Sequence, residues 1–471
     1  MIKKHVVIVG GGLAGLSAAE TLLRHASDRF DVTILESKRM TGGRAGSFED
    51  NASGETIDYC QHAAMGCCTN LLGLLQRCDL SDSMQRYKEL RFLHPKFPVS
   101  RFAAIDWLPA PLHLSQTING LNYLTWKQQR TVRRGLLRLM RTGSKKLVGV
   151  TAADWLSRAG QDAATIRDFW DVILVSALGE STEFVSMAAA RKVMMDGFAA
   201  AHGAADVLVP SIPLGELIGE RLTDAIASLG AEVVCESAAT SVSSEPKGVA
   251  TAAGLVQADH VVSAVPWHQL GRLVEGSPAA DAIENLDAIT HFPTSPITGL
   301  HLWFDREITD QPHHVMVGTL TQWLFRDPIT RQSPEETSSD EHYYQVVISA
   351  SHEARRVPKE ELVQRVQKEL RRAFPATSSA RLIRSQIVTD PNAVFSIRPE
   401  VDAVRPPPCT ALPWFHLAGD WIATQWPATM EGAVISGVMA AASVMQSENL
   451  PKPLPDPGLP RGWLARMLIK K

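Results

Sequence analysis

The 471-residue chain has little cysteine, 6 residues, and only 5 tyrosines. Two of the cysteines are the neighbours Cys67 and Cys68, and the set is too sparse and too irregularly spaced for a disulfide framework or a zinc site. A reducing cytoplasm is the expected compartment. Long uninterrupted apolar runs are also lacking. The longest, 5–23 and 430–445, are rich in Gly and Ala, are broken by Glu20 and Glu431, and fall short of the roughly 20 clean residues that span a bilayer. No transmembrane helix is expected. The opening MIKKHVVIVGGG enters a strand-like run directly, without a signal-peptide pattern, so export is not expected. A strong charge of one sign is missing too: 47 Lys and Arg against 50 Asp and Glu leave −3, which argues against general nucleic-acid binding.

With 45% hydrophobic and 21% charged residues, the composition is that of a folded globular chain. Its length suggests about three domains, or two with one split by insertion. The charge is unevenly placed. From Arg86 to Lys146 there are 13 Lys and Arg against Glu89 and Asp106, so this stretch carries +11 and the remainder −14. Its cations are interleaved with Leu, Met and Trp. Two readings stay open: a surface lying on anionic lipid, or a solvated helix face covering a core. Residues 451–471 form a Pro-rich linker followed by RGWLARMLIKK, an amphipathic tail that is either an interfacial anchor or a frayed end.

Hydrophobic periodicity predicts a strand over 5–9, a helix over 13–25 and a strand over 31–36, a β-α-β unit. Mostly helical patterns fill 70–204, α/β character returns over 205–266, and alternating runs between 295 and 350 predict a sheet with a partly exposed face. WFHLAGDW and a small-residue helix over about 430–446 close the pattern. The expected class is α/β: a Rossmann-like cofactor domain assembled from 1–85, 205–275 and 405–450. An α+β substrate domain, 86–204 and 276–404, is inserted into it, with a basic helical region over 86–146.

Gly10-Gly11-Gly12-Leu13-Ala14-Gly15 fits G-x-G-x-x-G between strand and helix, and Glu36 ends the next strand. Gly10 and Gly12 let the backbone turn tightly and approach a pyrophosphate, and Gly15 lets the helix pack close to the sheet. The helix start supplies positive charge, and Glu36 accepts from ribose hydroxyls. Dinucleotide binding follows.

The segment after Glu36, with Gly42-Gly43-Arg44, resembles the R-x-G-G-R segment of the amine oxidase and phytoene desaturase superfamily of FAD enzymes. Gly419-Asp420, followed by Thr429-Met430, resembles that superfamily's late flavin motif, in which the Asp holds the ribityl chain and a helix start meets the flavin. The resemblance implies FAD, and it implies that Ala239 contacts adenine through its backbone. No second glycine fingerprint is present, so an external electron donor is expected.

Ile57 to Asn70, with its Gln61-His62 pair, together with FSIRPE at 395–400, RPP at 405–407 and AGDWIATQWPATMEGAVISG at 418–437, resembles the hydroxysqualene dehydroxylases of bacterial hopanoid biosynthesis. Gln425 stands where the pattern has Gly. That resemblance implies FADH2-dependent removal of an allylic hydroxyl from a long apolar isoprenoid. An allylic hydroxyl leaves readily only when protonated, and His62 titrates in a useful range, so His62 is the expected proton donor, with Gln61 orienting it or the hydroxyl. A histidine that merely buttresses the loop is the competing reading. Asp58 is expected to hold that loop, Cys67 and Cys68 to be packing residues, and Trp421 and Trp426 either to flank the substrate channel or to pack the core. A carotenoid-type desaturase or isomerase remains the nearest rival. An amine oxidase fits less well because Ile297 stands near where that family often carries Lys. A non-catalytic lipid carrier would not need the flavin residues.

Overall fold

A computed structural model describes residues 2–50, 54–326 and 341–470. Five parallel strands form the first sheet, in the order Ala231–Val234, Phe30–Leu35, Lys4–Val9, His260–Ser263, Phe415–Leu417. They come from all three segments assigned above to the cofactor domain. The central strand is buried from Val6 to Val9, as an apolar run covered on both faces must be.

Helix Leu13–Ala26 follows the first strand and packs along helix Met430–Ser447. Small residues set this contact. A Cβ on Gly437 would stand 2.3 Å from the Ala14 carbonyl oxygen, and Ser17 Oγ donates to the Val434 carbonyl at 2.9 Å. The close approach brings the first turns of both helices to one place, although more than 400 residues separate them.

The second large sheet has seven strands, in the order Leu382–Phe395, Thr294–Phe304, His342–Ile348, Trp323–Arg326, His313–Met316, Glu89–His94, Phe97–Ala103. Three expectations are corrected here. The helical pattern expected over 70–204 holds across most of 126–199 but not over 84–103, because Met84–Tyr87, Glu89–His94 and Phe97–Ala103 are strands, and within 86–146 the long helix is only Trp126–Met140. The boundary at 85/86 cuts the strand Met84–Tyr87, which pairs with Val207–Pro210. The sheet also has no broadly exposed face over Thr294–Phe304, which is buried at nine of its 11 positions. Leu300, Leu302, Tyr344 and Val346 turn toward helix Lys359–Ala373 on one side, while Trp323, Phe325 and Val347 turn toward a helical layer on the other. Alternation in these runs therefore separates two cores rather than core from water. Residues 327–340 of the substrate segment lie outside the described residues.

Candidate active site

The glycine turn is built by backbone constraints. Gly10 has φ of +111°, in the left-handed region that favours glycine. A Cβ on Gly15 would stand 2.0 Å from the Gly10 carbonyl oxygen, so only glycine lets the helix start there. Gly12 caps helix Leu13–Ala26, and a Cβ on it would meet nothing closer than Gly43 Cα at 3.9 Å. The turn thus faces open space at a helix N-terminus, where an anion is stabilised by free N–H groups and the helix dipole. Leu13 and Ala14 form the first turn beside it.

Glu36 is buried, and its carboxylate organises the same turn. Gly11 N donates to Oε2 at 2.8 Å and Lys38 N donates to Oε1 at 2.9 Å. A carboxylate accepts about four hydrogen bonds. Ser37 Oγ takes another at 3.1 Å, which leaves acceptor capacity on Oε2 for a ribose hydroxyl. Gly42 N donates to the Gly11 carbonyl at 2.9 Å, closing the second segment on the first. Ala239, flanked by Ala238 and Thr240, borders the same cavity as Glu36 and Lys38.

Arg44 links the early and late segments. Its Nη2 donates to the buried Asp420 carboxylate at 2.6 Å, and its Nη1 donates to the Ala393 carbonyl at 2.8 Å. Gly419 N donates to Ser436 Oγ at 2.8 Å, fixing the turn on helix Met430–Ser447. Thr429 caps that helix by accepting from Gly432 N at 3.0 Å, and Met430 opens its first turn. The structure therefore gathers Gly10, Gly12, Leu13, Ala14, Glu36, Gly42, Gly43, Arg44, Ala239, Gly419, Asp420, Thr429 and Met430 around one cavity of about 1230 Å³. Gly15 lies behind the turn and makes it possible. FAD fits this donor set: a helix start for the pyrophosphate, a carboxylate for the ribose, and a second helix start on the same cavity.

Two residues without an assigned role in the sequence reading support the cradle. Arg405 is buried and donates to three successive carbonyls: Asp420 at 2.9 Å, Trp421 at 3.2 Å, and Ile422. Burial lowers its pKa, while Asp402 and Asp420 pull the other way. The RPP motif carried it, but a motif does not say which carbonyls a guanidinium will reach. Glu431 is the second. It accepts from Asn70 N at 3.0 Å, Asn70 Nδ2 at 2.8 Å and Leu71 N at 2.8 Å, and so holds the start of helix Thr69–Arg77. Burial raises its pKa against those hydrogen bonds.

The loop carrying Gln61 and His62 borders the same cavity, which is lined by residues of the second sheet as well. Asp58 anchors it: its Oδ1 accepts from Ser47 Oγ at 2.6 Å and Leu214 N at 2.7 Å. His62 Nδ1 lies 2.7 Å from the Cys60 carbonyl oxygen. A carbonyl only accepts, so Nδ1 carries the proton and Nε2 is the free acceptor of the neutral ring. Burial lowers the His62 pKa below its ordinary 6.5; the Cys60 carbonyl opposes this, and the Arg44 charge adds to the lowering. His62 is largely buried and borders the cavity. Gln61 Nε2 is 3.5 Å from the backbone oxygen of His62, so the contact it makes is to the loop backbone and not to the imidazole.

Cys67 and Cys68 are free thiols beside the cavity, and burial pushes the Cys60 thiol up to about 12. Trp421 is fully buried with Nε1 donating to the Val265 carbonyl at 3.0 Å, and Trp426 lies under Lys192 Nζ at 5.0 Å; both border the cavity. The same cavity has an extensive apolar lining. Leu90, Phe92 and Phe102 face it from one pair of strands, Trp323, Phe325 and Val347 from another, and Phe169, Val172, Ile173 and Phe198 close it from the helical layer. Ile297 borders it as well.

Among the described residues, no group of three or more His, Cys, Asp or Glu is placed to hold a metal ion, and no helix is long and apolar enough to cross a membrane. The family model for flavin containing amine oxidoreductases matches residues 13–445. The chain is 26% identical over 479 residues to 15-cis-phytoene desaturase of Narcissus pseudonarcissus, covering 94% of this chain and 80% of that one. It is 25% identical over 459 residues to hydroxysqualene dehydroxylase of Sinorhizobium fredii, covering 95% and 99%. The fold matches the crystal structure of an oxidoreductase from Methanosarcina mazei with a TM-score of 0.70 at 14% identity, covering 94% of this chain and 100% of that one. With the family model spanning the first helix, the Arg44 and Asp420 link and nearly all of the late helix, the chain belongs to the flavin containing amine oxidoreductases, and its cofactor is FAD.

Proposed function

We propose that the enzyme acts on a long isoprenoid and removes the hydroxyl of hydroxysqualene reductively to give squalene. The observation that carries this reading is that one cavity is lined by the nucleotide cradle, by Gln61 and His62, and by a large set of apolar side chains. A wholly apolar chain partitions into such a cavity with about 25 cal/mol for each Å² taken from water. The likeness to a hydroxysqualene dehydroxylase over 95% of the chain supports the choice of substrate.

The chemistry supplied by bound FAD is two-electron hydride exchange with carbon. This chain's residues do the rest. The apolar walls exclude water, which protects an allylic cation from capture. Asp58 fixes the loop, and the Cys60 carbonyl fixes the His62 tautomer, leaving Nε2 to take up and deliver a proton. A lowered pKa makes the imidazolium a stronger acid and a rarer species. Turnover is therefore expected to climb as pH falls through a value below 6.5, and His62→Ala is expected to remove that limb while keeping FAD. An unchanged pH profile in that variant would take His62 out of the mechanism. Reduction of the cofactor requires an external electron donor.

A second reading, desaturation, is favoured by the likeness to 15-cis-phytoene desaturases, and it needs no acid at the loop. Anaerobic incubation of prereduced holoenzyme with hydroxysqualene separates the two. Squalene with stoichiometric flavin oxidation is expected. Flavin that stays reduced without squalene, together with new conjugated double bonds when oxidised enzyme meets phytoene, would replace dehydroxylation by desaturation.

A further inference from the structure

Two sequence features more than 300 residues apart meet on one side of the molecule. The Pro-rich segment after helix Met430–Ser447 runs over the surface as a strap: Asp456 N donates to Asn70 Oδ1 at 2.8 Å, and Asn70 Nδ2 returns a bond to the Asp456 carbonyl at 3.0 Å. Farther on, Gly462 N donates to the Ala200 carbonyl at 3.0 Å, and a Cβ on Gly462 would stand 3.2 Å from Ala110 Cβ. Lys470 N then donates to the Met140 carbonyl at 2.9 Å, at the end of helix Trp126–Met140. The tail is thus seated on the +11 stretch, with Ala465 and Ile469 buried beneath it.

What this arrangement leaves in solvent is unusual. Of the 11 tryptophans, the exposed ones among the described residues are Trp107, Trp126 and Trp463, at 81%, 71% and 60%, and all three lie in the basic stretch or the tail. Met467 is 75% exposed beside Trp463. Trp126, Arg130, Arg134 and Leu137 follow one another at spacings of three or four residues and are all exposed, so one helix face mixes apolar and cationic side chains. Lys127, Arg130, Arg134, Arg141, Lys145 and Lys146 form no ion pair among the described residues. A face made only to be solvated has no use for three exposed indoles, of which, among the described residues, only Trp126 meets a cation, the Arg130 guanidinium at 5.5 Å. A second copy of the chain would set this positive face against an identical one.

We infer that the outer face of helix Trp126–Met140, the segment around Trp107 and the seated tail together form a docking surface for an anionic lipid bilayer. The indoles and Met467 enter the headgroup boundary, and the unpaired cations meet lipid phosphates. The inference goes beyond the proposed reaction and does not depend on it.

Co-sedimentation of holoenzyme with vesicles tests it without any turnover. Binding to vesicles of equal parts phosphatidylglycerol and phosphatidylcholine is expected at low salt, falling as salt rises and absent with phosphatidylcholine alone. Trp463→Ser with Met467→Ser, and separately Arg134→Glu with Arg141→Glu, are each expected to weaken binding about tenfold or more. FAD content and circular dichroism serve as folding controls. Holoenzyme that stays in the supernatant with both vesicle types would overturn the proposal, as would variants that pellet like the parent. A solution dimer that Trp463→Ser dissociates would assign the face to a second copy and overturn it equally.

Discussion

The two ends of the cavity are made in different ways. The nucleotide end is held largely by backbone: glycine turns, two helix starts, and three carbonyls gathered by Arg405. The tunnel end is held by side chains such as Phe92, Phe169, Ile173 and Phe325, drawn from two strand pairs and a helical layer. A backbone-built site tolerates few substitutions, since one Cβ or one missing donor shifts main chain. A side-chain-built site changes its shape with each substitution and keeps its fold. Damage at the first end should therefore appear as lost cofactor and stability, and damage at the second as altered substrate selection.

The largest effect is expected from Arg405→Met. It leaves the Asp420, Trp421 and Ile422 carbonyls without their buried donor, which costs on the order of 3 kcal/mol and releases the turn that carries Asp420. Thermal unfolding and bound-flavin absorbance would show both losses; intact FAD content at an unchanged Tm would mean that Arg405 is not what fixes this turn. Glu36→Ala comes next. It removes the acceptor of Gly11 N and Lys38 N as well as any bond to ribose, so FAD should bind about tenfold or more weakly, as read by equilibrium dialysis. Undiminished affinity would contradict the placement of the ribose.

At the tunnel, Ile173→Trp should leave FAD content and Tm near the parent values while raising KM for a C30 substrate several-fold, an effect on the order of 1 kcal/mol. Loss of flavin in this variant would erase the distinction between the two ends. The smallest effect is expected from Gln425→Gly. Gln425 has φ of +63°, a left-handed conformation that costs a residue with a Cβ on the order of 1 kcal/mol, so glycine should raise Tm slightly. A lower Tm would show that the Gln425 side chain contributes more than its backbone conformation costs.

Gln425 also shows how a local departure from a motif acquires its meaning. The sequence pattern has glycine there, and the structure supplies the reason, a backbone angle that the glutamine adopts under strain. Gly10, Gly15 and Glu36 were legible because their roles depend on neighbours within a single β-α-β unit, where spacing alone sets geometry. The strands at 84–103 were not legible. Glu89–His94 and Phe97–Ala103 pair with each other as a hairpin, but what holds that hairpin and Met84–Tyr87 in place lies far off, at 315–316 and at 207–210. The alternation in 294–304 was seen, but the polar positions proved to be inside as well, with Thr298 Oγ1 bonded to Ser351 Oγ at 2.8 Å and His301 Nδ1 to the Tyr343 hydroxyl at 2.7 Å.

The amino-acid sequence by itself determined that the first turn is a glycine turn opening a helix, the form that suits a dinucleotide's phosphates, because glycine freedom and helix polarity act over a few residues. It also determined that +11 charges gather between 86 and 146. Only the tertiary structure decided that Arg44 would reach Asp420, that Arg405 would hold the turn, and that a strap would seat Trp463 beside the basic helix. Each of these contacts joins residues between 15 and more than 370 positions apart. Their geometry is fixed by how sheets and helices pack, which no local spacing encodes.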